Sequence, residues 1–435
     1  MKVYPTTLFK AFSITIFLMV VNCLTAQEKF TISTQQDRLN QYSGHWVSSI
    51  HPNTDSIAAI PNIKMVNRSV LNQQSLQVTV LQHKENAYQP ILVELMGYDP
   101  QADIIFAAGQ NEQGAYFTGK GKFLTERNWV MQDTNLLGQP TMKVNFDFLN
   151  FTDVVVEGFS TKGQSLWKTR YIKNNPKDKN IGIQLVSVHQ DMQKDPEGTL
   201  LQLSRMGYSY IETFVYQERS FYGISPLDFR QLVENVGMQF LGSMTFYDLP
   251  AQKDWDKALV WWQQCIEDHK TAGVSYLSTS NHQLKSITKK SELQRYCEYY
   301  NAIGKLCKEN GLQFIFHNHA AEFLPVEGIR IYDYLLQNTN PDYVAFQADL
   351  YWMHIGGVKP IDYFKKYPNR FLSWHVKDYQ ELGASGKIDF KEIFKYASKA
   401  GLKYTVAEVE DYNFPPLYGV NLAWNYLYYD LLKNE

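Results

Sequence analysis

From Ile181 onward the chain alternates strand-like and helix-like segments without a break, and this alternation restricts the fold more than any other feature. Short apolar runs over Ile181–Val188, Ser209–Phe214, Met238–Thr245, Val274–Thr279, Leu312–His317, Tyr343–Asp349, Phe371–Val376 and Lys403–Glu408 read as strands. Helical patterns fill the gaps over Pro196–Met206, Pro226–Asn235, Trp255–Thr271 and Ser291–Glu309, and a last helix over Asn421–Leu432 completes the series. Gly207, Gly237, Gly273, Gly311 and Gly401 each follow a helix, where a left-handed residue commonly ends it. Eight such units in about 255 residues is the length of one (β/α)8 barrel.

Four of these strands end in a residue able to bind a metal: His317, Asp349, His375 and Glu408. Their spacing is roughly 30 residues, the length of one strand–helix unit. Consecutive units of a parallel barrel deliver their strand ends to one rim, so the four side chains should converge. Two imidazoles and two carboxylates there suit one divalent cation, with Mn²⁺, Zn²⁺ and Mg²⁺ all admissible.

The first third of the chain follows a different rule. Apolar and polar residues alternate over His45–Ile50, Leu76–Gln82, Ile91–Met96, Ile104–Ala108, Tyr116–Phe123, Met142–Phe148 and Val154–Phe159, with Gly and Asn turns between. This predicts an antiparallel barrel or sandwich of about eight to ten strands, lipocalin-like in outline. No chemical constellation emerges in it, and a role in narrowing the mouth of the second domain or in holding glycan is open. The polar run Lys173–Asn180 breaks the pattern. The expected organisation is a leader over residues 1–26, an all-β domain over 27–174, a linker over 175–180 and the (β/α)8 barrel over 181–435.

The leader is read from Lys2 and Lys10, the apolar stretch Ala11–Val21 and a small residue, Ala26, at the expected cut. It implies export to a bacterial periplasm or beyond; the stretch is too short for a stable membrane span, and Asn22 argues against lipid attachment at Cys23. Cys297 and Cys307 share one predicted helix, too far apart to pair, so a disulfide could only join Cys265 to one of them. The net charge of −2 offers no basic face for nucleic acid. A small carbohydrate is the expected partner, and an assembly of identical chains is compatible with the sequence.

The strand-end motifs carry a resemblance. His317-Asn318-His319-Ala320-Ala321-Glu322-Phe323, then Ala348-Asp349-Leu350-Tyr351-Trp352, Trp374-His375-Val376-Lys377-Asp378 and Ala407-Glu408-Val409-Glu410-Asp411 follow in order. With Gly182-Ile183-Gln184-Leu185 at the first strand, they make the chain from about Asn180 resemble the xylose-isomerase-like sugar isomerase/epimerase superfamily. The resemblance implies one divalent metal held by His317, Asp349, His375 and Glu408. Many members have Glu where this chain has His317, which weakens a two-glutamate proton shuttle. The base is then Glu410 or His319, each two residues past a ligand and so on the same strand face. Lys377 lies two past His375, where its cation would polarise a carbonyl or hold an alkoxide. Glu212, Glu322, Trp352 and His354 are candidate substrate contacts: Trp352 as an apolar platform for a sugar, Glu322 on a sugar hydroxyl or behind a ligand His. Asn318 alternates away from His317 and should brace the barrel.

Such a site removes a proton α to a carbonyl, and three outcomes share that step: isomerisation, epimerisation, and β-elimination by a lyase or dehydratase acting on a keto-sugar or 3-keto-glycoside. Isomerase or epimerase chemistry on a non-phosphorylated sugar is the primary expectation, because export removes the chain from sugar phosphates and no Gly-rich phosphate loop is present. A non-catalytic carbohydrate-binding protein would leave the ligand set incomplete. A phosphodiesterase of the AP-endonuclease kind would need more ligands and a basic groove.

Overall fold

The structure, a computed structural model, describes residues 31–49, 62–71 and 74–432. The expected leader, with Cys23 and the cut at Ala26, lies outside the described residues.

Ten strands make the first barrel: β1 Gly44–Ser49, β2 Ile63–Val70, β3 Ser75–Lys84, β4 Ala87–Asp99, β5 Ile104–Asn111, β6 Tyr116–Phe123, β7 Asn128–Asn135, β8 Pro140–Asn150, β9 Asp153–Ser160 and β10 Ser165–Lys173. Each pairs antiparallel with the next and β10 pairs back onto β1, so the sheet closes and has no edge. That is two strands more than a lipocalin-type barrel. The sequence pattern passed over β2, β7 and β10 because their inward rows carry polar residues, Asn67, Asp133 and Thr169, where the alternation calls for apolar ones. At one end Tyr42, just after the helix Gln35–Asn40, sets its ring edge-on to Trp129, Phe146 and Phe148.

The second barrel is parallel and also closed. Its strands are β11 Ile181–Gln184, β12 Tyr210–Thr213, β13 Gln239–Met244, β14 Tyr276–Thr279, β15 Gln313–His317, then, after a small hairpin of β16 Pro325–Val326 and β17 Ile329–Arg330, β18 Val344–Asp349, β19 Phe371–Val376 and β20 Tyr404–Ala407. β11 pairs with both β12 and β20. The first strand stops at Gln184 rather than Val188: Leu185–Val188 turns as a 3-10 segment, the Gln184 side chain accepts from Val186 N, and Ser187 Oγ accepts from Val409 N. The last helix starts earlier than the pattern suggested, over Pro416–Asn425, and passes into a π-helical turn over Tyr426–Leu431. Inside the barrel, Gly182 and Gly242 make room for two tyrosines. A Cβ at either would stand 2.1 Å from the Tyr210 ring or 2.2 Å from that of Tyr276. Tyr210 OH donates to Thr405 O, and Tyr276 OH points to Glu212.

The two barrels share a joint rather than a free linker. Ile32 and Phe151 belong to the second barrel's apolar core, and Tyr418 OH donates to Asp37 O at 2.7 Å. Asn175 clamps both sides, accepting from His45 N and donating to Met206 O. These contacts lie along the helix Pro416–Asn425 and at the end of the helix Pro196–Arg205, so the first barrel covers the flank of the second. Lys173, which opens the polar run, ends β10 and is fully buried, donating to Asn421 Oδ1 at 3.0 Å with its amine 4.9 Å from the Trp46 ring. Cys265, Cys297 and Cys307 are all free and buried, so the one disulfide the sequence left open is not formed. Among the described residues no helix is long and apolar enough to cross a membrane.

Burial without a counter-charge lowers the Lys173 amine from 10.5 to about 7. Below that value both folded and unfolded chains hold the proton. Between about 7 and 10.5 only the unfolded chain does, so this residue makes stability rise with pH across that window. Lys173→Met should therefore be more stable than the parent near pH 7, by up to roughly 3–5 kcal/mol. The gap should close by about pH 10, as read by denaturant unfolding; a gap independent of pH would refute the assignment.

Candidate metal centre

Three side chains from three adjacent strand ends meet inside the second barrel. His317 from β15, Asp349 from β18 and His375 from β19 are buried, and each brings one ligand atom within 4.8 Å of the others, a grouping that could hold a metal ion. His317 Nε2 stands 4.0 Å from Asp349 Oδ2. Asp349 also caps the helix that follows it, since its Oδ1 accepts from Trp352 N at 2.8 Å. Its other oxygen, Oδ2, is buried with no hydrogen-bond partner. An orphaned acceptor is costly in a protein interior, and a cation would satisfy it.

The expected fourth ligand, Glu408, sits just past β20 and is buried. It is engaged on both sides: Oε2 lies in close contact with His375 Nδ1, and Oε1 accepts from Lys377 Nζ at 3.2 Å. The described group of atoms within 4.8 Å therefore has three members, and Glu408 stands next to it. Lys377 bridges Glu408 to Glu410, and its amine sits 5.1 Å from the Trp352 ring and 5.5 Å from that of Tyr351.

The charges follow from this crowding. Burial pushes His317 below the usual imidazole range, with His375 and His319 adding to the effect, so it stays neutral and able to ligate. Burial likewise brings His319 down to about 4. Burial raises Asp349 to about 7, with the Lys377 cation opposing. Burial would also lower His375, but the carboxylates of Glu408 and Glu212 outweigh it and hold the imidazole well above its ordinary value. Burial acts against Lys377 in the same way, and Glu408, Glu410 and Asp349 together keep its amine protonated. Glu410 is raised, first by burial and then by the charge on Glu408.

The remaining expected residues fall into two places. Trp352 and His319 line the rim above the cluster, with His319 4.9 Å from the His317 ring and 5.5 Å from Trp352. Asn318 braces the barrel as its alternation implied, exchanging bonds with the Asp349 backbone. Glu212 was expected to face substrate; it is fully buried beneath His375, with both oxygens taken by protein donors. Glu322 is also buried and accepts from His319 N at 2.8 Å, so it shapes the loop carrying His319 rather than meeting a sugar. His354 is exposed, near Tyr379 and a recess lined by Lys359 and Lys387, and makes no bond to the cluster. Gln184, Tyr276, Gln347 and Ser373 join the polar layer below the cluster; Tyr276, Gln347 and Ser373 were not singled out in the sequence. The one signal for Gln347 and Ser373 was a polar residue inside an otherwise apolar strand.

Comparison with known proteins agrees with the fold of the second barrel. The profile of the xylose isomerase-like TIM barrel family matches residues 200–426. Two crystal structures of sugar phosphate isomerase/epimerases from Parabacteroides distasonis are 27% and 28% identical, with TM-scores of 0.55 and 0.54; each covers 58% of this chain, and the matches take in 95% and 99% of theirs. Among curated proteins, an inosose dehydratase of Clostridium tetani is 28% identical over 151 residues, 35% of this chain and 50% of that protein. An inosose dehydratase of Salmonella typhimurium is 28% identical over 131 residues, 24% of this chain and 42% of that protein. The chain thus spans about half the length of the curated relatives it matches.

Asp349→Asn separates the two jobs of this residue, because its Oδ1 can still accept from Trp352 N while the anionic oxygen is lost. The variant should fold normally by circular dichroism and bind Zn²⁺ more weakly than the parent, by more than the roughly 10–100-fold that removal of a ligand's hydrogen-bond partner costs. His375→Ala should do the same, and undiminished metal content in both would rule the cluster out as a metal centre.

Proposed function

Because the chain belongs to the xylose isomerase-like TIM barrel family, we propose that it is a metal-dependent isomerase or epimerase that removes a proton α to a carbonyl of a non-phosphorylated sugar or keto-sugar. The observation that carries the reading is the orphaned acceptor Asp349 Oδ2, 4.0 Å from His317 Nε2 and grouped with His375, beside the Lys377–Glu410 pair. A divalent cation held by His317, Asp349, His375 and a released Glu408 would polarise the carbonyl and its neighbouring hydroxyl.

The protein's own groups would do the rest. Glu410, half-open at the rim with a side chain 42% exposed, is the first candidate base, and its raised affinity for protons suits that task. His319, held neutral by burial, is the second. Lys377 keeps its proton and would face the negative charge that builds on the substrate oxygen. Tyr351 and Trp352 give that oxygen's neighbourhood an apolar wall, on which a sugar ring can lie. Export through the predicted leader would place the protein away from sugar phosphates, which supports a non-phosphorylated substrate.

A second reading draws on the inosose dehydratases among the relatives. If the carbon next to the lost proton carries a leaving group, the same base would start an elimination and Lys377 could protonate the departing oxygen. Product mass separates the two: unchanged for isomerisation or epimerisation, lower by one water or one alcohol for elimination.

In heavy water, turnover of a panel of ketoses, keto-polyols and keto-glycosides should put solvent deuterium into recovered substrate or product. Glu410→Gln and His319→Gln should both retain the metal, and one should lose about 10²-fold or more in rate. Turnover without deuterium uptake and without an isotope effect at the α-position would exclude proton abstraction.

A further inference from the structure

Glu212 lies directly under the cluster, and its hydrogen bonds are complete. Oε1 accepts from Gln184 Nε2 at 2.6 Å and meets His375 Nε2 at 2.8 Å; Oε2 accepts from Tyr276 OH at 2.7 Å and Gln347 Nε2 at 2.8 Å. Four partners on two oxygens fill the lone-pair positions of a carboxylate. A carboxylate can only accept, so His375 must donate from Nε2. Its Nδ1 faces Glu408 Oε2, so that nitrogen can give a lone pair to the cluster only once Glu408 turns away from it.

The same carboxylate reaches the second imidazole through one intermediary. Gln347 Nε2 donates to Glu212 Oε2 and to Ser373 Oγ, both at 2.8 Å, which fixes the amide's orientation. Gln347 Oε1 then faces His317 Nδ1 at 3.0 Å, and a carbonyl oxygen there requires a proton on Nδ1. The lone pair of His317 is thereby on Nε2, the nitrogen nearest Asp349 Oδ2. With Glu408 turned away, both imidazoles would offer the cluster a lone pair, through opposite ring nitrogens.

We infer that Glu212 is a positioning residue that sets the tautomer of both cluster histidines, His375 directly and His317 through the Gln347 amide. The inference rests on the proposed cation, and it adds a group that never touches cation or substrate. Its physical basis is that a metal competes with a proton for the imidazole lone pair. A buried acceptor behind each ring holds the proton on the far nitrogen and keeps the near one available. Alone, each ring could take either tautomer, and only one in four combinations would present both lone pairs.

The test uses the full-length protein, stripped by a chelator and titrated with Zn²⁺ against a chromophoric competitor. Long-range ¹H–¹⁵N spectra of the zinc-loaded protein then report which ring nitrogens carry protons. The parent should show His375 protonated on Nε2 and His317 on Nδ1. Glu212→Gln should weaken zinc about 10–100-fold and blur both tautomers. Gln347→Leu should blur His317 alone. Tyr276→Phe removes a donor to Glu212 but touches neither ring, and it should leave both tautomers and the zinc affinity in place, which a general packing role for the layer would not predict. Should Glu212→Gln fail to fold, Gln347→Leu and Tyr276→Phe still read the relay at His317. Zinc affinity unchanged by Gln347→Leu, with the His317 proton still on Nδ1, would overturn the inference. A parent that takes up neither zinc nor manganese would overturn the proposed cation instead.

Discussion

A carboxylate shut away from water has to find every one of its hydrogen-bond partners in the protein, and Glu212 does so inside the second barrel. Its four partners come from β11, β14, β18 and β19. A parallel barrel usually fills this level with branched apolar side chains. Here the level is polar, and the tyrosine that serves it is admitted only because Gly242 has no side chain in its path. Satisfying one buried charge thus ties together four strands that are far apart in sequence, and it aims both imidazoles of the cluster above.

That cluster has an excess of acceptors where its floor has none to spare. Asp349 Oδ2 lacks a partner, while His375 Nδ1 meets Glu408 and Lys377 is shared between Glu408 and Glu410. The contrast between a saturated layer and an unsaturated one directly above it is what a site built to receive something looks like. The rim residues Trp352, Tyr351 and His319 add an apolar and weakly basic wall, and the chemistry assigned to the site follows from that mixture.

The first barrel is bound to this structure by its flank. Its own core of Trp46, Trp129, Phe146 and Phe148 is separate, yet Ile32 and Phe151 extend into the core of the second barrel. Lys173 seals the joint at an electrostatic cost, with an amide and an indole ring in place of a counter-ion. Within the stretch that looked most like a connection in sequence, Asn175 is buried and bonded to both barrels, while Asn174, Asp178 and Asn180 face water.

The eight-unit alternation, the strand ends at His317, Asp349 and His375 and the helix stops at glycine were legible in the sequence, because strand period and helix period are local properties of neighbouring residues. The same locality explains the misses. β2, β7 and β10 put polar residues in inward rows, and Glu212 was offered as a substrate contact from its position at a strand end. Whether a strand-end carboxylate meets solvent, a ligand or the donors of other strands depends on side chains from remote parts of the chain. The sequence by itself determined which residues would stand on one rim. Only the tertiary structure decided which of them carry unsatisfied atoms, because hydrogen-bond satisfaction in a buried layer belongs to the closed barrel and to no single strand.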